Sequence, residues 1–190
     1  ALQIAQQDQR YRAQTTIRSA GLAGMVRPIS FVATVEGWID DGGPRPDWYV
    51  ESADTGRRVS EAELRWADRR PKVIRYEETA APAPADGPTG SVDPLTALLA
   101  ALQDRPATQG CAATMRLFDG RRESLLMLHP TAPLRCEGLY RRVAGFTADE
   151  LAEKTDFPLG LTYALGPEGN WQMIGADVQT LYGKVRLKRR

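Results

Sequence analysis

Polar and apolar side chains alternate with a period of two along much of this chain. In Tyr11, Ala13, Thr15 and Ile17 the less polar positions interleave with Arg12, Gln14, Thr16 and Arg18, the pattern of a strand with one wet face. Ile29, Phe31, Ala33 and Val35, continuing to Ile39, repeat it, and Ala62, Leu64 and Trp66 against Glu61, Glu63 and Arg65 repeat it more sharply. Asp40 to Pro46 reads as a turn-rich connection, and Thr55-Gly56 and Asp68-Arg69-Arg70 read as hairpin tips, so the chain up to Arg70 is expected to form a meander.

The alternation stops at Thr79 to Gly90, where Ala, Pro and Gly supply neither core side chains nor a helix. Residues 79–90 are therefore expected to form a mobile loop. Asp93 then caps a helix with Pro94 in its first turn, and Leu95, Leu98, Leu99 and Leu102 recur at helical spacing, predicting one short amphipathic helix packed inward. From Cys111 the β pattern resumes. Asp119-Gly120 marks a tight hairpin between Met115–Phe118 and Arg121–Leu128, and Pro130 to Pro133 turns the chain into Leu134–Val143. Thr147 with Glu150 forms a capping box for a helix ending near Lys154, and three strands follow: Leu159–Leu165, Trp171–Val178 and Tyr182–Leu187. About ten strands and two short helices predict a mostly β, antiparallel fold in residues 1–190, one domain whose sheet curls strongly into a half-barrel, barrel or β spiral.

Composition narrows the partners. Basic and acidic residues nearly cancel, 25 against 24, so no net field draws nucleic acid or an anionic membrane surface. No apolar run reaches the length of a membrane-spanning helix. The chain starts at Ala1 without a charged-then-apolar leader, so removal of a precursor segment is expected. With two cysteines and the single histidine His129, a four-ligand structural metal site is not expected. Neither a phosphate-binding glycine loop, a serine elbow nor a metal-binding helix motif occurs, so no cofactor and no catalytic residue is assigned. The adjacent acids Asp40-Asp41, Glu77-Glu78 and Asp149-Glu150 sit in turns or helix starts and read as caps and solubilising groups.

Several segments taken together resemble the proteobacterial exported family called domain of unknown function 3108. They are Val92-Asp93-Pro94-Leu95-Thr96-Ala97-Leu98, Phe118-Asp119-Gly120-Arg121-Arg122, and Cys136 with Gly138 and Tyr140-Arg141-Arg142-Val143-Ala144-Gly145-Phe146. The resemblance extends to Asp54-Thr55-Gly56-Arg57-Arg58 and to Phe157-Pro158 followed by Leu161-Thr162-Tyr163-Ala164, running from about Tyr11 to the C terminus. More distantly, the Phe118-Asp119-Gly120 hairpin is similar to one in alphaproteobacterial cell-envelope integrity proteins built as a β spiral with a disulfide. Ser124-Leu125 departs from the Tyr-Asp pair expected after Arg122, and the family's opening strand and leader are not expected within this sequence. The resemblance implies a periplasmic or otherwise exported β protein with no assigned activity.

In an oxidising periplasm, a bridge between Cys111 and Cys136 would stabilise the fold by roughly 3 kcal/mol in the chain-entropy view. Geometry pulls the other way: cysteines on the outer strands of a three-strand meander lie about 9 to 10 Å apart, beyond disulfide reach, unless Cys111 precedes its strand in a loop folded across the sheet end. The alternatives are two buried thiols, or a thiol paired with His129. The other candidate contacts are Tyr140, Arg141 and Arg142, where alternation sets Arg141 against its neighbours, and the basic tips Arg121-Arg122 and Arg57-Arg58, which can grip phosphate or carboxylate groups or serve as solvated turns. The leading expectation is a non-enzymatic periplasmic protein supporting the cell envelope, holding an apolar or amphiphilic ligand such as a lipid in a concave β face. The alternative is a structural or protein-interaction module with a filled core and no ligand.

Overall fold

A computed structural model describes residues 2–18, 30–40, 42–56, 58–78, 85–181 and 183–189. The expectations placed on Ala1, Ile29, Asp41, Arg57, residues 79–84 and Tyr182 lie outside these. Twelve strands and two short helices are found among the described residues, in an order the alternation largely foretells.

The first sheet is a meander of β1 (Leu2–Gln7), β2 (Arg10–Arg18), β3 (Ser30–Asp40), β4 (Gly43–Asp54), β5 (Val59–Ala67) and β6 (Arg70–Glu78), each antiparallel to the next. Its buried face carries Tyr11, Ala13, Ala33, Val35, Tyr49 and Leu64, the positions that the period of two sets apart from the charged ones. Helix α1 (Pro94–Leu102) adds Leu95 and Leu99 to this core, and Phe118 joins them. Asp40 to Pro46 is shorter as a connection than expected, because β3 runs to Asp40 and β4 starts at Gly43. Pro46 is tolerated inside β4 because it pairs with Gly37 where the register of the β3–β4 ladder shifts. Strand β1 was not foreseen, since Leu2–Gln7 is dominated by glutamine and lies on the sheet's exposed rim.

The second sheet is likewise a meander, of β7 (Ala113–Phe118), β8 (Glu123–Ala132), β9 (Arg135–Ala144), β10 (Asp156–Leu165), β11 (Trp171–Thr180) and β12 (Gly183–Lys188). Helix α2 (Ala148–Glu153) links β9 to β10 and carries both halves of the predicted capping box, Thr147 Oγ1 accepting from the Glu150 amide and Glu150 from the Thr147 amide. The turn at Asp119-Gly120 is longer than a two-residue hairpin, with Asp119 Oδ1 accepting from the Arg121 amide at 3.0 Å before β8 begins at Glu123.

The expected single curled sheet is thereby corrected. Six strands per sheet is within what an open, twisted sheet holds, so dividing the strands between two sheets removes the pressure to curl or close. Contacts divide the chain into two compact units, residues 1–100 with 118–121, and residues 101–117 with 122–190.

Candidate functional site

In the first unit, strand alternation places one acid where an apolar side chain is expected. Glu51 shares its face of β4 with Tyr49 and Ala53, so it points inward and is buried. The Tyr49 hydroxyl donates to it. Burial pushes the Glu51 carboxyl up to about 8, and the charge of Asp119 adds to the shift, against the Tyr49 hydrogen bond and Arg58. Asp93 is also buried, as the cap of α1: its Oδ1 accepts from the Leu95 and Thr96 amides at 2.9 and 2.8 Å, and its Oδ2 from Thr96 Oγ1 at 2.5 Å. Burial pushes this carboxyl up to about 6 in spite of those bonds. Tyr11 closes the network through its hydroxyl, 2.8 Å from Thr96 Oγ1.

The tip residues Phe118–Arg121 belong to the same unit. Gly120, at φ +104°, leaves no room for a side chain, since a Cβ there would lie 2.9 Å from Tyr76 Cδ2 and 3.3 Å from Ala62 Cβ. Arg121 and Arg58 both face Glu78, at 3.6 and 3.9 Å, and Tyr76 donates its hydroxyl to the same carboxylate. The chain after residue 84 is fastened to β6: the Gly87 amide donates to the Pro71 carbonyl, the Gly90 amide to the Arg69 carbonyl, and Asp86 pairs with Lys72.

The second unit gathers arginines onto aromatic rings. Arg142 donates through Nη1 to the carbonyls of Glu150, which also accepts from the Lys154 amide, and, at 2.9 Å, of Lys154 at the end of α2. Its guanidinium lies 5.1 Å from the Phe146 ring and 5.0 Å from that of Phe157. Arg122 is buried, 3.8 Å from Glu150 and 5.7 Å from the Phe146 ring. Tyr140 meets Phe157 edge-on at 5.8 Å and accepts from Ser124 Oγ at 2.7 Å. Arg141 faces the other way, as alternation requires, and forms a two-pronged pair with Asp156 at 2.7 and 2.8 Å. That guanidinium holds the Asp156 carboxyl below the usual carboxylate range.

Of the residues singled out for contact, Tyr140, Arg142 and Arg122 thus converge, while Arg141 lies on the opposite face and Arg121 lies in the other unit. Sequence reasoning missed Glu51, although its place in the inward register with Tyr49 and Ala53 was a usable signal. Cys111 and Cys136 form a disulfide, with their Cα atoms 6.4 Å apart. Cys111 precedes β7 rather than lying in it, so the bridge reaches the start of β9 without the two-strand separation that stood against it. Arg105 holds the same loop through the Ala101 and Gly110 carbonyls, and its main chain bonds to Trp171 in both directions.

The family described as "Protein of unknown function (DUF3108)" matches residues 1–131, and the chain belongs to it. The matched region includes the helix-cap and Phe118-Asp119-Gly120 segments; Cys136 and Tyr140 to Phe146 lie beyond it. Neither the curated proteins nor the solved structures contain a match. The disulfide suggests an oxidising compartment outside the cytoplasm, and no helix among the described residues is long and apolar enough to cross a membrane.

Proposed function

We propose that this chain is a non-enzymatic periplasmic protein of the cell envelope, acting as a structural or protein-interaction module with a filled core. The observation that carries this reading is the fate of the cationic side chains. Arg121, Arg122, Arg141 and Arg142 each engage an acid or a carbonyl of their own unit. An anionic ligand would have to compete with these acids and carbonyls for the guanidinium forks, which instead hold a turn, a helix end and neighbouring strands as a stiff frame. Packing of the first sheet's inner face by Tyr49, Leu64, Leu95, Leu99 and Phe118 supports the same reading, and the disulfide supports the compartment.

Capture of an apolar or amphiphilic ligand such as a lipid is the second reading, favoured by Ile4 and Ile17. Both sit on the core-facing side of the first sheet's rim yet are about half exposed. Native mass spectrometry of the protein purified from its own periplasm separates the two. The bare chain mass, with crosslinks to envelope proteins in the intact cell, is the expected result. A stoichiometric copurified lipid would overturn the module in favour of the carrier.

A further inference from the structure

Strand β12 closes the second sheet on one side and pairs only with β11 among the described residues. The Arg189 amide donates to the Ile174 carbonyl at 3.2 Å, and Gly183 stands opposite Thr180 where the hairpin closes. Main-chain bonds in an antiparallel pair alternate along the strand, so the N–H and C=O groups of Lys184, Arg186 and Lys188 face the open side. The rims of the first sheet are less suited: the start of β6 is bonded by Gly87 and by the Asp86 carboxylate, and β1 carries no charged side chain with which to select a partner.

The side chains of β12 define what fits there. Val185 and Leu187, opposite Val178 and Ala176, continue the sheet's apolar face but stay 46% and 39% exposed. On the other face Lys184 and Arg186 share one carboxylate, Asp177, at 3.5 and 3.0 Å, and Lys188 has no ion pair among the described residues. This rim therefore offers strand-adding hydrogen bonds, an apolar row and surplus positive charge in one register.

We propose that β12 is a docking edge for an extended segment of another protein in which acidic and apolar residues alternate, added as a further antiparallel strand. The idea rests on the interaction-module reading and names its partner's chemistry. Lysines on an edge strand ordinarily keep other strands away. Here they act as a filter. A second copy of β12 would set cations against cations, whereas a strand with carboxylates at every second position neutralises Lys184, Arg186 and Lys188 while its apolar side chains cover Val185 and Leu187.

The test uses the full chain and three synthetic heptapeptides: alternating Val and Glu, alternating Val and Lys, and the Val/Glu peptide with alternate amides N-methylated. Fluorescence anisotropy is expected to show binding of the plain Val/Glu peptide alone, weakened by salt, with slowed amide exchange at Lys184, Arg186 and Lys188. In the triple variant Lys184→Glu, Arg186→Glu, Lys188→Glu, affinity should fall about tenfold or more while the Val/Lys peptide begins to bind, a gain that an unfolded variant cannot give. Equal binding of all three peptides, or no change on charge reversal, overturns the docking edge. Periplasmic crosslinks kept by the triple variant overturn the edge but leave the module standing; a wild-type chain with copurified lipid and no crosslinks overturns the module itself.

Discussion

The two units solve the same problem differently. Each is a six-stranded meander that must cover one face of an open sheet. The first does so with a helix and a tyrosine-rich core, and it buries two carboxylates, Glu51 and Asp93, in the process. The second buries apolar side chains of its own, among them Leu126, Leu128, Leu161 and Tyr163, and adds a covalent tie, Cys111 to Cys136, and arginines laid against aromatic rings. Apolar cover makes the first unit's stability sensitive to cavities and to pH. Covalent and carbonyl ties make the second unit's stability sensitive to redox state and to single guanidinium groups.

The largest effect expected is in the first unit. Leu99→Ala removes a buried side chain of α1 from the core and should cost about 2 to 5 kcal/mol, with Leu98→Ala, at a half-buried position, costing less. Denaturant unfolding followed by hydrogen exchange should show the loss confined to residues 1–100 and 118–121. An equal loss in both units would mean that they unfold as one, and the contrast would fail.

Next comes the disulfide. Counting thiols in the denatured, unreduced protein should find none, and Cys111→Ser with Cys136→Ser should lower the second unit's stability by roughly 2 to 4 kcal/mol while sparing the first. Two free thiols would remove the bridge, and with it the support for an oxidising compartment.

The buried acids give an effect of smaller size and opposite sign. Because the folded-state carboxyl of Glu51 is raised to about 8, the unfolded chain ionises first as pH rises. Stability is then lost progressively from the ordinary carboxylate range up to about pH 8 and levels off above it. Asp93, raised to about 6, contributes in the same sense over a narrower window. Glu51→Gln keeps a hydrogen-bonding partner for Tyr49 and removes the ionisation, so it should stabilise the first unit by on the order of 2 kcal/mol at pH 8 and leave it unchanged near pH 4. A pH profile parallel to that of the wild type would show that Glu51 is not the source.

The finest contrast is between neighbours on one strand. Arg142→Ala strips α2 of its carbonyl partner and Phe146 and Phe157 of their stacked cation, and should cost about 1 to 2 kcal/mol. Arg141→Ala breaks only a solvent-facing pair with Asp156 and should leave the thermal transition where it was. Equal effects would mean that alternation does not set these two side chains apart.

Local pattern was enough wherever one face of a strand is wet. Tyr11, Ala13, Ala33, Val35, Ala62 and Leu64 were all readable as inward positions, and Asp93 and the Thr147–Glu150 pair as helix starts, because a period of two and a capping residue are properties of adjacent side chains. Glu51 was readable in principle, being inward by register, but its chemistry discourages burial unless Tyr49 and Arg58 are already known to be beside it. Strand β1 carried too few apolar side chains to announce itself.

By itself, then, the sequence determined the β class, both helices, the family and the only cysteine pair the chain can make. Tertiary structure alone decided that the strands divide into two open sheets, that Cys111 reaches Cys136 from a loop, and that Arg141 and Arg142 serve different partners. The reason is range. Alternation, capping and turn chemistry act over a few residues, whereas strand grouping, cross-sheet bridges and the neutralisation of buried charge depend on residues far apart in the chain, whose meeting no local pattern records.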